Sequence, residues 1–420
     1  MSLFPFKPVP APATATLVRR RPSLDFSITG LIYCSMMMFM GLAAINSQAN
    51  LLFGVFGLMI GILVVSGTVS RIVLKKILVV RVLPKHGVVG ESMTAYYEIT
   101  NAKRFWPSLS VTLAELDGVE GFTKQPQCYM LHAAPKMTAS VPAELIPKRR
   151  GLHELGRYQL ATSFPFGFIK RAFIERHKDV ILIFPALAQV DGRLLAMCRS
   201  ADNTGESIRP RPGGADEFYG LKEFRTGDNP RHIYWRRSAR TGVLVSKEMT
   251  RVAPPRLLLM VDTWLPNRTP ANHALVERNI AAAGSLAAAA LDQGLSVGLC
   301  VWSNGPVSIV PTRGKQQRED VLTLLARLPL NTQFTTMQLL DEFQNLMKPG
   351  TTIVLLTPNN PAPGLADHAR GGMLVLRADD DSSRQYFRFG AEVNFNNCMP
   401  PDQEGSMVQG FKGSRERLNL

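Results

Sequence analysis

Charge is missing from Phe26 to Ser70, where no Asp, Glu, Lys, Arg or His occurs. Soluble cores rarely carry so long a charge-free run, so a wholly soluble chain is excluded as the first reading. Cysteine is sparse as well. Cys34, Cys128, Cys198, Cys300 and Cys398 are scattered, with no Cys-x-x-Cys and no His at metal-ligand spacing. That speaks against a disulfide framework and a zinc site and fits a reducing compartment. Acidic residues almost vanish from positions 1–90, which hold nine Lys or Arg against Asp25 alone, a net +8. Disorder throughout is excluded by 45% hydrophobic residues and a mean hydropathy of +0.02. The 420 residues suffice for two or three domains, each with its own core.

The formal charge of +15 is unevenly placed. More than half of it flanks the apolar run. Residues 140–251 carry 20 bases against 12 acids, and the chain after Arg251 balances at 15 against 15. This distribution favours a membrane surface over nucleic acid as the counterpart of the positive charge.

Residues 1–24, rich in Pro, Ala and Thr, read as a disordered lead. The segment 26–71 divides at the polar turn Asn46-Ser47-Gln48-Ala49-Asn50 into Ile28–Ile45 and Leu51–Ser70. At about 1.5 Å per residue each arm is roughly 27 to 30 Å long, matching a hydrocarbon core of about 30 Å. A transmembrane helical hairpin follows. Arg19, Arg20 and Arg21 precede it, Arg71, Lys75 and Lys76 close it, and the turn is uncharged. Both termini are therefore expected on the cytoplasmic side of the cell inner membrane.

Residues 78–185 alternate in short β-branched and aromatic runs separated by Pro84-Lys85-His86-Gly87, Asn101, Asp117-Gly118 and Pro147, the pattern of an antiparallel β-sandwich-like domain. His153 beside Glu154 reads as a solvated strand face, and Ser163-Phe164-Pro165-Phe166-Gly167-Phe168 as an aromatic-lined turn. From 251 to 380, apolar runs Arg256–Asp262, Leu295–Trp302, Thr351–Thr357 and Met373–Leu376 alternate with helical segments His273–Gln293, 316–328 and 336–348. Strands apolar on both faces imply a mainly parallel sheet covered by helices. Ligands on such sheets bind at the strands' carboxyl ends, here Asp262, Trp302 and Thr357. Residues 381–420 read as a polar tail.

The connector 186–250 holds the densest cluster of chemistry, Gly213 to Gly242. Its last third reads as one short helix capped by Asp228, with Pro230 in the first turn and Thr241-Gly242 as the stop. On such a helix Arg231, Trp235 and Ser238 or Ala239 share a face, and Arg236, Arg237 and Arg240 spread around the rest. The candidate site residues are Glu217, Asp228, Arg231, Trp235 and Arg240. Two readings stand side by side. They form a structural knot, with a cap, an ion pair to Glu217 or Glu223 and an indole wedged between domains, or a docking surface anchored by Arg and Trp.

Glu217-Phe218, Gly220-Leu221, Phe224, Gly227-Asp228, Arg231, Ile233, Trp235 and Ser238-Ala239-Arg240 resemble the signature of the bacterial family named for domain of unknown function fifty-eight. Arg150-Gly151 and Pro165-Phe166-Gly167 resemble its second motif, with Ser163-Phe164 where the family typically has an Asp. The resemblance implies a membrane-anchored accessory protein with a von Willebrand factor A-like C-terminal domain and no assigned reaction, working with a MoxR-type AAA+ ATPase. It also implies a metal-ion-dependent adhesion site, Asp-x-Ser-x-Ser plus a Thr and an Asp. Here Asp262-Thr263-Trp264-Leu265-Pro266 lacks both serines and Thr357-Pro358-Asn359 lacks a carboxylate. Asp262 is thus a degenerate candidate, and no strong metal site and no cofactor are expected.

The leading expectation is a membrane-anchored scaffold that binds a protein partner. Anionic-lipid or nucleic-acid binding is the alternative, and an enzyme a further one. Asp228 and His232, four apart, have no positioned nucleophile, and Ser238 lies beyond both, so no catalytic residue is assigned.

Overall fold

The computed structural model describes residues 21–200, 211–225, 228–251, 256–265, 267, 269–330, 333–347, 351–358, 373–391 and 393–395. The chain divides into two compact units, Met1–Phe184 and Pro185–Leu420. Most of the expected disordered lead and the end of the polar tail lie outside the described residues.

In the first unit, strand β1 (Arg21–Phe26) leads into helices α1 (Ile28–Ser47) and α2 (Asn50–Leu74). Residues 21–24 therefore depart from the disordered lead expected of them. They pair antiparallel with β9 (Ile169–Phe184), from Arg21 opposite Ile174 to Phe26 opposite Ile169. Local sequence could not show this, because the hydrogen bonds come from a strand far along the chain. Ser27 caps α1, its Oγ accepting from the Gly30 amide at 3.1 Å.

Both helices are long and apolar enough to cross a membrane. Their lengths, about 30 and 37 Å at about 1.5 Å per residue, meet that need. Protein does not cover them; Leu51, for instance, is 80% exposed. Tyr33 ties the arms, donating its hydroxyl to Met59 O at 3.0 Å. Where α1 starts, backbone meets backbone: a Cβ at Gly30 would lie 2.1 Å from Phe168 O, so only glycine fits.

Strands β2 (Ile77–Val82), β4 (Met93–Asn101) and β7 (Thr138–Leu145) form one antiparallel sheet in the order β2-β4-β7. The second sheet runs β1-β9-β8-β5-β6, with β5 (Ser108–Glu115), β6 (Gln127–Ala133), β8 (Gly151–Thr162) and the short β3 (His86–Val88) lying parallel to β9. Alternating residues of both sheets meet in one core, with Ile77, Tyr97, Ile99 and Leu145 from the first and Val111, Leu113, Met130 and Leu160 from the second.

A charged network crosses this core. Arg81 Nε and Nη2 each donate to Glu115 at 2.8 Å, Nη1 donates to Asp179 at 3.0 Å, and Tyr97 donates its hydroxyl to Glu115 at 2.9 Å. His153 departs from the solvated strand face expected of it. It is half-buried, its Nε2 lies 2.8 Å from Arg149 O, and its ring is tilted on Phe122 at 5.7 Å. Burial lowers its pKa, so packing is its role.

In the second unit, β13 (Arg256–Val261), β14 (Ser296–Trp302), β16 (Thr351–Thr357) and β17 (Met373–Arg377) are parallel, and β15 (Pro306–Thr312) pairs antiparallel with β14 at the edge. The order is β15-β14-β13-β16-β17. Helices α5 (Pro270–Asp292), α6 (Lys315–Arg327) and α7 (Thr336–Glu342) accompany the sheet. The third helix expected over 336–348 is shorter, because the chain tightens into a 3-10 turn at Gln344–Leu346. Although α5 is also long and apolar enough to cross a membrane, its Val276, Ile280 and Leu286 are buried in the core of this unit.

Two expected boundaries shift. Helix α3 (Gly192–Ser200), assigned above to the connector, puts Leu194, Leu195 and Cys198 into the same core as β13 and β14. Strand β10 (Gln189–Val190) pairs with β18 (Phe387–Arg388), which follows α8 (Asp381–Arg384), and Phe387 joins that core. The start of the polar tail is therefore part of the α/β layer, because one buried aromatic and a two-residue pairing hold it there.

Candidate functional site

Strands β11 (Arg211–Glu223) and β12 (Val245–Arg251) form an antiparallel ribbon, and the signature residues among the described ones lie along it and in the excursion between its strands; Gly227 lies outside the described residues. The excursion is not the single helix expected from Asp228 to Thr241. It contains a 3-10 turn, Pro230–His232, capped by Asn229, and then α4 (Trp235–Thr241). Backbone bonds to the far strand break the helix in two. Tyr234 N donates to Val245 O at 2.8 Å, and Ile233 bridges Ser246. The stop is as expected: Gly242 has φ 73°, and its amide returns to Ser238 O at 3.0 Å.

Asp228 caps no helix. Its Oδ1 accepts from Lys222 Nζ at 2.8 Å and its Oδ2 from the Arg225 amide at 3.0 Å, so it closes the turn leaving β11. The Lys222 hydrogen bond is the main reason its pKa is lowered. Glu217 pairs through its backbone with Thr250; its side chain lies outside the described residues.

Arg231 and Arg240 are exposed, and no ion pair between Arg231 and Glu223 occurs among the described residues. Trp235 is 66% exposed. Since Arg231 lies in the 3-10 turn, it does not share a helical face with Trp235, and Asp228 and His232 do not stand one turn apart on a helix.

Ser238 does the fastening. Buried, it accepts the Val245 amide on its Oγ at 2.9 Å and donates to Tyr234 O at 3.1 Å. Helix α4 is thereby fixed to β12 while Trp235, Arg236, Arg237 and Arg240 face outward. Lys247 Nζ lies 5.1 Å from the centroid of the Tyr234 ring, which adds a cation–π contact beneath. Sequence reading gave Ser238 no such role. The signal available was a small hydroxyl residue four before Gly242 in an otherwise charged helix.

Residues 220–356 match the family model described as protein of unknown function DUF58. The match supports the DUF58 family over that segment. It runs from Gly220 in β11 to Leu356 in β16, so it includes Asp228, Arg231, Trp235, Arg240 and Asp262 and leaves Glu217 just upstream. Comparison with curated proteins finds no match.

Two of the three strand ends singled out in the sequence, Asp262 and Thr357, are joined by a hydrogen bond. Asp262, buried just past β13, accepts on Oδ2 from Thr336 at 2.5 Å and from Thr357 at 3.1 Å, and on Oδ1 from the Trp264 amide at 2.9 Å. Asn279 of α5 donates to Asp262 O and Leu356 O, each at 2.9 Å, tying the helix to both strand ends. Trp302 stands apart from these bonds, stacked on Phe334 at 4.1 Å.

Thr336, at the start of α7, is the partner that sequence reading did not name. Burial raises the Asp262 pKa against the pull of its three donors. The donor set does not fit a divalent cation. One carboxylate, with both oxygens already accepting hydrogen bonds, and hydroxyls turned to donate to it, leave a hard ion short of charge and lone pairs. No cluster of three or more His, Cys, Asp or Glu suited to a metal occurs among the described residues.

Proposed function

We propose that this protein is a membrane-tethered accessory protein whose arginine-rich excursion docks another protein. The observation that carries the reading is Trp235, exposed among Arg231, Arg236, Arg237 and Arg240 on a segment that Ser238 holds rigid. Trp and Arg are the residue types that most often anchor protein interfaces, and a pre-fixed backbone lowers the entropy cost of docking. The apolar helices α1 and α2 support a tether in the cell inner membrane, and the flanking bases favour both termini in the cytoplasm.

The resemblance makes a MoxR-type AAA+ ATPase the partner to test first, and the parallel sheet of the second unit supports a von Willebrand factor A-like reading of that half. Catalysis is the weaker reading. Ser238 spends its hydroxyl on Tyr234 O and Val245 N, and Asp228 spends its carboxylate on Lys222 and Arg225.

The test is affinity purification of the full chain in mild detergent. Recovery of an AAA+ ATPase with wild type and its loss with folded Trp235→Ala and Arg231→Ala variants are expected. Equal recovery with wild type and both variants would contradict the docking role.

A further inference from the structure

The lower end of the apolar hairpin holds two arginines without a counter-charge. Ile169, at the start of β9, packs on α2: its Cδ1 lies 3.5 Å from where a Cβ on Gly67 would stand. Four residues further along the helix is Arg71, and two further along the strand is Arg171, steps of about 6 Å on a helix and about 6.6 Å on a strand. The Arg71 charge is near enough to act on the Arg171 guanidinium. Burial, and then the Arg71 charge, hold the Arg171 pKa below its ordinary value.

Neither arginine has a hydrogen bond or salt bridge among the described residues, and Arg171 Nε is a buried donor with no partner. The carboxylates of the neighbouring strands are placed elsewhere. Asp25 pairs in register with Lys170, on the opposite face from Arg171, and Glu175 accepts from the Tyr158 hydroxyl at 2.7 Å. Like charges left together with a dry donor are unfavourable alone and become favourable around an anion.

We propose that Arg71 and Arg171 grip the phosphate of an anionic phospholipid at the cytoplasmic edge of the hairpin. This inference rests on the membrane tether proposed above. Planar guanidinium groups match phosphate oxygens in paired hydrogen bonds, and the buried Arg171 Nε gains its missing acceptor.

Depth selects a lipid over a free anion. A hydrocarbon layer of about 30 Å consumes about 20 residues of helix, which counted from Asn50 places the boundary near residue 70, beside Arg71. The surroundings suit acyl chains. Leu24, directly across from Arg171, is about half exposed, as are Phe26 and Phe166, the last at 50%. Exposed Lys75 and Lys76 follow just outside and favour a net negative headgroup over a zwitterionic one.

The experiment uses the full chain purified in a neutral detergent and offered phosphatidylglycerol, phosphatidylcholine or inorganic phosphate. Bound lipid is counted by native mass spectrometry, and thermal unfolding is followed in parallel. Wild type is expected to retain phosphatidylglycerol and to melt at a higher temperature with it, and not to respond so to the other two. Arg71→Gln/Arg171→Gln is expected to bind phosphatidylglycerol at least tenfold more weakly. Arg71→Gln alone, at an exposed position, is expected to lose several-fold and serves if the double variant does not fold.

Equal retention of phosphatidylglycerol by wild type and Arg71→Gln overturns the site, as does equal retention of phosphatidylcholine. Equal protection by inorganic phosphate overturns the lipid as occupant. Carbonate extraction of membranes separates the two proposals. A chain released by carbonate defeats the tether itself, whereas a chain that stays integral yet shows no preference for phosphatidylglycerol defeats only this site.

Discussion

Ser238 Oγ accepts the Val245 amide at 2.9 Å, joining the middle of a seven-residue helix to the first residue of the strand that follows it. Replacing Ser238 by Ala leaves a backbone donor without its partner at a buried position. The expected cost is about 1–3 kcal/mol, felt locally. Hydrogen exchange at the Val245 amide should accelerate in Ser238→Ala, while Trp235→Ala, a change at an exposed side chain, should leave that rate and the melting temperature unchanged within about 0.5 kcal/mol. Together the pair separates the support of the surface from the surface itself.

In the first unit the Arg81–Glu115 pair is fully buried, with side-chain exposures of 1% and 0%. Removing Glu115 leaves the buried Arg81 with only the partly exposed Asp179 as counter-charge and two of its donors unsatisfied, a loss of about 3–5 kcal/mol. Glu115→Ala should therefore lower the thermal midpoint of the full chain far more than Asp117→Ala, whose salt bridge to Arg157 lies at the surface and whose loss should cost about 0–1 kcal/mol. Differential scanning fluorimetry of the two variants in detergent decides the matter.

Asp262 titrates in the opposite sense to most carboxylates. Its folded pKa is raised above the unfolded value by burial, so the folded chain holds that proton more tightly. Its stabilising contribution is present below the ordinary carboxylate range and is lost as pH rises through the folded value. Asp262→Asn should abolish this dependence and make the protein more stable than wild type at neutral pH relative to acid, as read from melting temperatures across a pH series. Isothermal titration with magnesium or manganese should show no tight binding to wild type. Tight binding that disappears in Asp262→Ala would show that the hydroxyls around this carboxylate turn to serve a cation.

The parts of the fold legible in the sequence are those specified by local periodicity or by a long compositional run. The apolar hairpin needed only the charge-free stretch, although α1 and α2 run past the expected arm ends, Ile45 and Ser70, to Ser47 and Leu74. Strand Thr351–Thr357 was legible to the residue, because an apolar run between breakers has no other use in a covered parallel sheet. What escaped notice depends on distant partners. Strand β1 carries Pro22 and Asp25, poor strand formers, and exists through its ladder with β9. Likewise α3 and β18 are too short to announce themselves and are held by the core of the second unit. In the candidate site the stop at Gly242 was legible, and the break at Tyr234 was not, since the hydrogen bond that makes it comes from Val245 across the ribbon.

Incorporating a photo-crosslinking amino acid in place of Trp235, in cells expressing the full chain, tests the docking claim most directly. An adduct that contains an AAA+ ATPase, and that is absent when the same group replaces exposed Val310 in the α/β layer, is the predicted result. Irradiation that yields no protein adduct at position 235, or the same adducts from both positions, would contradict it.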